Sequence, residues 1–79
     1  MWDQIDNSLE KTFSFKDFVH AFSFMTKVAI IAEKMNHHPT WSNTWNTVNI
    51  KLTTHDAGNQ VTQKDYELAN AIDELMNSH

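Results

Sequence analysis

Three of the five histidines stand where two segments of the chain can meet: His37 and His38 follow Glu33 and precede Pro39, and His55 comes directly after Thr54. Histidine is the side chain whose unperturbed pKa, about 6.5, lets it exchange protons near neutrality, so a cluster points to acid–base chemistry or to a metal. A zinc site needs its ligands to converge on one ion about 2 Å away. Neighbouring residues do the opposite, facing opposite sides of a strand or diverging by about 100° on a helix. His37 and His38 are therefore poor joint ligands, and the chain has neither an HExxH nor an HxH spacing. Divergent rings suit acid–base work, because one imidazole can face the reacting bond while its neighbour holds another part of the ligand. The expectation is a site without a metal.

Each of these residues also has a plainer reading. His37 and His38 fall where a helix runs out, and imidazoles there often complement the helix dipole and the last carbonyls. Glu33 lies four residues before His37, the spacing of a solvated i,i+4 pair. Asp65 stands three residues after Thr62, as in a capping box with Asp replacing the usual Glu or Gln. Trp41 and Trp45 can stack on a planar ligand or belong to the core. His20, in the middle of a helix, and the terminal His79 carry no site signal, and Phe22, Met25 and Ala29 read as packing.

The elements that must position these residues are legible from periodicity. Residues 2–5 and 9–15 flank the turn formers Asp6, Asn7 and Ser8, and Phe13 and Phe15 alternate with Thr12 and Ser14 as in a half-buried hairpin. Over residues 16–36 a helix is predicted from Phe18, Phe22, Met25, Ala29, Ala32 and Met35, with Val28 and Ile31 widening the stripe. Pro39 ends it, since residues before proline avoid helical backbone. Residues 41–54 form the next β segment, with Val48, Ile50 and Leu52 on one face and a bend between Asn43 and Asn46. A last helix, 62–77, carries Leu68, Ala69, Ile72, Leu75 and Met76. The predicted fold is α+β: a four-stranded antiparallel sheet with two helices packed on one face, in the order β-β-α-β-β-α.

Composition bounds the function. A chain of 79 residues with one proline and one glycine makes a single domain, 1–79, whose small core favours oligomerisation. Ten acids against six bases give a net charge of −4 with no basic run, which argues against direct nucleic-acid contact. The absence of cysteine removes thiolate chemistry and disulfides. No apolar stretch reaches the roughly 20 residues that span a bilayer, and the start lacks a secretory pattern. A cytoplasmic protein is expected.

The ordered run Glu33-x-x-x-His37-His38-Pro39-x-Trp41, then Trp45-Asn46-x-Val48-x-Ile50-x-Leu52-x-Thr54-His55, then Thr62-x-x-Asp65 and Leu68-Ala69, resembles the pterin-4a-carbinolamine dehydratase family. Upstream, Phe13-x-Phe15-x-x-Phe18 and Ala21-Phe22-x-Phe24-Met25-x-x-Val28-Ala29 look like that family's strand-to-helix entry. The resemblance implies a lyase that dehydrates 4a-hydroxytetrahydropterin to quinonoid dihydropterin, without metal or bound cofactor, in tetrahydropterin recycling. It implies His37 and His55 as the acid–base pair, His38 as the residue that chiefly holds the pterin, and Glu33, Pro39, Trp41, Thr54, Asp56 and Asp65 around the substrate. It also implies homodimers or homotetramers. In animal relatives it implies a second role, as a dimerisation cofactor of a transcription factor through protein contacts, with a nuclear location. A pterin-binding homologue without turnover is the third alternative.

The chain departs from the family pattern in places. The loop from Asp56 to Val61 carries an extra residue and puts Val61 in a leucine position, Trp45 stands where tyrosine is common, and no counterpart of the leading helix of relatives is expected ahead of Trp2.

Overall fold

The computed structural model describes residues 1–77; His79 lies outside them. Strands β1 (Asp3–Ile5) and β2 (Ser8–Ser14) form a hairpin, helix α1 spans Phe18–Met35, strands β3 (Thr40–Thr44) and β4 (Thr47–Leu52) form a second hairpin, and helix α2 spans Gln63–Asn77. A single 3-10 turn, His55–Ala57, separates β4 from α2 and was not anticipated. The sheet is antiparallel with the order β1-β2-β4-β3, so the best apolar strand is central. Among the described residues no helix is long and apolar enough to cross a membrane.

Register puts the apolar residues on one face. Leu9 pairs with Leu52, Phe13 with Val48 and Trp41 with Ile50, while Glu10, Thr12, Asn49 and Lys51 point to the other side. Because alternate strand residues share a face, one face carries the core and the other stays polar. Leu68, Ala69 and Ile72 of α2 and Ala21, Phe24 and Val28 of α1 close over the apolar face. Phe24 meets Phe13 and Phe15, each with a centroid separation of 4.9 Å.

The structure corrects part of the predicted face of α1: Val28 and Ala32 are buried as expected, and Met25, Ile31 and Met35 pack against the core, but Phe18, Phe22 and Ala29 do not face it. The buried residues of the helix are Ala21, Phe24, Val28 and Ala32, whereas Phe18 and Phe22 are exposed, Phe22 by 56%, and Ala29 is exposed as well. This helix carries two apolar stripes side by side. The one bearing small Ala21 and Ala32 lets the helix approach the sheet closely, and the bulkier stripe is left beside the edge strand, where Phe22, Met25 and Ala29 line a shallow groove with Trp41.

Local chemistry fixes the ends. Asp17 caps α1 by accepting from the His20 backbone N–H at 2.8 Å, and that bond holds its carboxyl below the usual aspartate range. Asp73 of α2 accepts from the Trp2 indole at 3.1 Å and from Lys11 at 2.9 Å, tying the N-terminal segment to α2.

Candidate active site

His37 owes its position to the way α1 stops. Asn36 adopts the left-handed conformation (φ 52°, ψ 42°), its N–H bonds to the Glu33 carbonyl, and the His37 N–H reaches back to that of Ala32. This is a Schellman ending with asparagine in the place glycine usually holds. Pro39 then keeps His38 out of helical backbone and launches β3. His55 is placed by a loop folded on Thr54, whose N–H bonds to the Gln60 carbonyl and whose carbonyl accepts from Ala57, Asn59 and Gln60. Gly58 (φ 76°) and Asn59 (φ 60°) supply the left-handed backbone this loop needs.

The two segments meet at one end of the sheet around an open cleft of about 280 Å³. His37, His38, Pro39, Thr54, His55 and Asp56 line it, as do Asn36, Thr40, Thr53 and Lys64. The volume lies at the lower limit for small-molecule sites, which restricts the cleft to a compact ligand.

Each histidine has one ring nitrogen engaged. His37 Nε2 lies 2.6 Å from Asp65 Oδ1, His38 Nε2 lies 2.9 Å from Glu33 Oε1, and His55 Nδ1 lies 2.7 Å from Asn59 Oδ1. Carboxylate and amide carbonyl oxygens accept, so the engaged nitrogen carries the hydrogen; the other is an acceptor in the neutral ring and a donor in the imidazolium. The surroundings differ sharply: Asp65 is fully buried and His37 is 9% exposed, whereas His38 and His55 are exposed.

Asp65 collects three donors. Besides His37 on Oδ1, its Oδ2 accepts from the Thr54 hydroxyl at 2.8 Å and from the Thr62 N–H at 2.8 Å. The bond from Thr62 is one half of the predicted capping box, and the same fully buried carboxylate, which does not line the cleft, reaches His37. Glu33 reaches His38 and not His37, its i,i+4 neighbour, because the left-handed turn at Asn36 swings His37 inward toward α2. Trp41 does not line the cleft. It faces the core side of β3, against Phe22 and Met25 of α1. Trp45, which shares no strand face with Trp41, is 66% exposed at the distant tip of the second hairpin.

The residues that sequence reasoning passed over, Asn36, Thr40, Thr53 and Lys64, each adjoin a residue already singled out. Lys64 had the clearest signal. It stands beside Asp65 in the first turn of α2, on the side that remains exposed once Asp65 turns inward. Among the described residues no cluster of three or more His, Cys, Asp and Glu side chains is placed to hold a metal ion.

Comparison with known proteins places the chain in a family. A family profile described as Pterin 4 alpha carbinolamine dehydratase matches residues 1–75. A protein of Prochlorococcus marinus (strain MIT 9515) named for that dehydratase is 53% identical over 74 residues, covering 94% of this chain and 76% of the relative. One of Solibacter usitatus with the same name is 50% identical over 74 residues, with 94% and 77% coverage. Among solved structures, a transcriptional coactivator/pterin dehydratase from Brucella melitensis superposes with a TM-score of 0.86 at 40% identity, covering 92% of this chain and 79% of that one. A pterin dehydratase-like protein described as a RuBisCO assembly factor in the alpha-carboxysome shares the fold with a TM-score of 0.78 at 21% identity, covering 100% and 90% of the two chains. On its sequence and its fold, the chain belongs to the pterin 4 alpha carbinolamine dehydratase family.

Proposed function

We propose that this protein dehydrates 4a-hydroxytetrahydropterin, releasing water and quinonoid dihydropterin, in the recycling of a tetrahydropterin cofactor in the cytoplasm. The observation that carries the reading is the convergence on one cleft of three imidazoles, each with one nitrogen tethered and the other left to take up or give a proton. The reaction breaks the C4a–O bond and forms C4a=N5. The departing hydroxide takes a proton and leaves as water, and N5 gives up its hydrogen. One imidazolium and one neutral imidazole perform these tasks.

His37 fits the base. Its Nδ1 is the unprotonated nitrogen, and the buried Asp65 carboxylate stabilises the imidazolium that forms, the same logic by which a carboxylate orients a catalytic histidine elsewhere. His55 fits the acid: as the imidazolium it keeps Nδ1–H on the Asn59 carbonyl oxygen and gives the Nε2 proton to the leaving hydroxide, and His38 with Glu33 holds the pterin at the open side. Pro39 and Asp56 complete the wall.

The test is the ultraviolet decay of freshly generated 4a-hydroxytetrahydropterin. The protein is expected to accelerate it, and His37→Ala with His55→Ala to lose that acceleration by about 10²–10⁴-fold while circular dichroism stays unchanged. No acceleration by the wild-type protein sinks the proposal.

A second reading, as a protein-interaction module, is favoured by one observation: the Brucella melitensis relative is described as a coactivator as well as a dehydratase. The exposed stripe of α1, with Phe18 and Phe22, offers the surface for such contacts or for a homodimer or homotetramer.

A further inference from the structure

Thr54 stands in the cleft wall and invites assignment as a substrate contact, yet its polar atoms are already committed. Its N–H bonds to the Gln60 carbonyl, and its own carbonyl accepts from Ala57, Asn59 and Gln60. Its hydroxyl donates to Asp65 Oδ2 at 2.8 Å, so the hydroxyl of Thr62, 2.7 Å away, must donate to the Thr54 oxygen. Every hydrogen in the network then has one direction. Thr62 donates through its hydroxyl to Thr54 and through its N–H to Asp65, Thr54 donates to Asp65, and His37 donates to the other carboxylate oxygen.

We propose that Thr54 and Thr62 are positioning residues that act on His37 through Asp65. The two donors on Oδ2 pin the rotation of the buried carboxylate, which leaves Oδ1 aimed at His37 Nε2. The ring is thereby held in one tautomer and one orientation, with Nδ1 free. Buried networks of this kind act as units, because an unpaired member in a low-dielectric interior is costly. Sequence separation hides the device: it joins the end of β4, the N-terminus of α2 and the exit of α1.

The experiment has two arms. The first, independent of any substrate, is nuclear magnetic resonance of the His37 ring nitrogens in the wild-type protein, Thr54→Val and Thr54→Ser. Wild type is expected to carry its hydrogen on Nε2, Thr54→Val to give a mixture of tautomers, and Thr54→Ser to restore the wild-type signal. Thr62→Val, a milder change that keeps the N–H donor, is expected to move the signal part of the way. The second arm rests on the proposed dehydratase reaction: Thr54→Val is expected to lower kcat about tenfold with KM within twofold of wild type, and Thr54→Ser to recover most of it. A raised KM with kcat retained, or His37 nitrogens unmoved in both valine variants, overturns the positioning role. If wild type fails to turn over the pterin, the proposed function falls and the ring-nitrogen arm still decides this one.

Discussion

At the scale of single residues, identity and environment divide the work. His37 and His38 are neighbours of the same type, but one is buried against Asp65 and the other lies open beside Glu33. The proposed division of roles rests on that asymmetry: a shielded ring to exchange a proton and an open one to meet the ligand. Asp17 shows a carboxylate in a different setting, exposed and committed to a helix end. Its folded-state pKa is lowered by the His20 N–H, so its stabilising effect is present above the ordinary aspartate range and is lost as pH falls through the lowered value. Asp17→Asn keeps a capping oxygen but cannot titrate. Thermal melts between pH 5 and 2 are expected to show a shallower acid loss of stability in Asp17→Asn than in wild type.

At the scale of elements, the turns carry the strain. Asp6 (φ 53°) and Trp45 (φ 49°) each occupy left-handed backbone at the first turn position of a hairpin. Aspartate tolerates that region, whereas for a bulky residue such as tryptophan it is an outlier. Trp45 is exposed, so little packing compensates. Trp45→Gly is therefore expected to stabilise the domain by about 1 kcal/mol, read as a rise in the urea midpoint at unchanged slope. A drop in the midpoint shows that the indole makes a contact worth more than the strain. Pro39 and Asn36 act at the same scale, stopping α1 so that consecutive residues leave in different directions.

At the scale of the whole molecule, two helices cover one face of the sheet and leave a second apolar stripe of α1 uncovered. Substitutions on the two stripes therefore have different outcomes. Phe24→Ala opens a cavity between Phe13 and Phe15 and is expected to cost about 3–5 kcal/mol in denaturant unfolding. Phe22→Glu is expected to leave unfolding within about 0.5 kcal/mol for the isolated chain. In sedimentation it is expected to lower the mass of any assembly built on that stripe. Equal destabilisation by the two contradicts the observed helix register.

The sequence by itself determined the strands and long helices, their order, and six of the residues that line the cleft: His37, His38, Pro39, Thr54, His55 and Asp56. Strand alternation in Val48, Ile50 and Leu52, the proline after the histidines, and the Thr62 to Asp65 spacing are local signals, and each produced the expected local structure. The apolar face of α1 was legible only in part: Val28 and Ala32 belong to the predicted stripe, but in the first half of the helix Phe18-Phe22-Met25 and Ala21-Phe24-Val28 are both helical stripes, and only the distance of closest approach to the sheet chooses between them. Nor could spacing reveal that Asp65 would meet His37, 28 residues away, or that Trp41 would turn from the cleft toward α1. Those pairings are long-range. They follow from how α1, β4 and α2 converge at one end of the sheet, and tertiary packing alone sets that convergence.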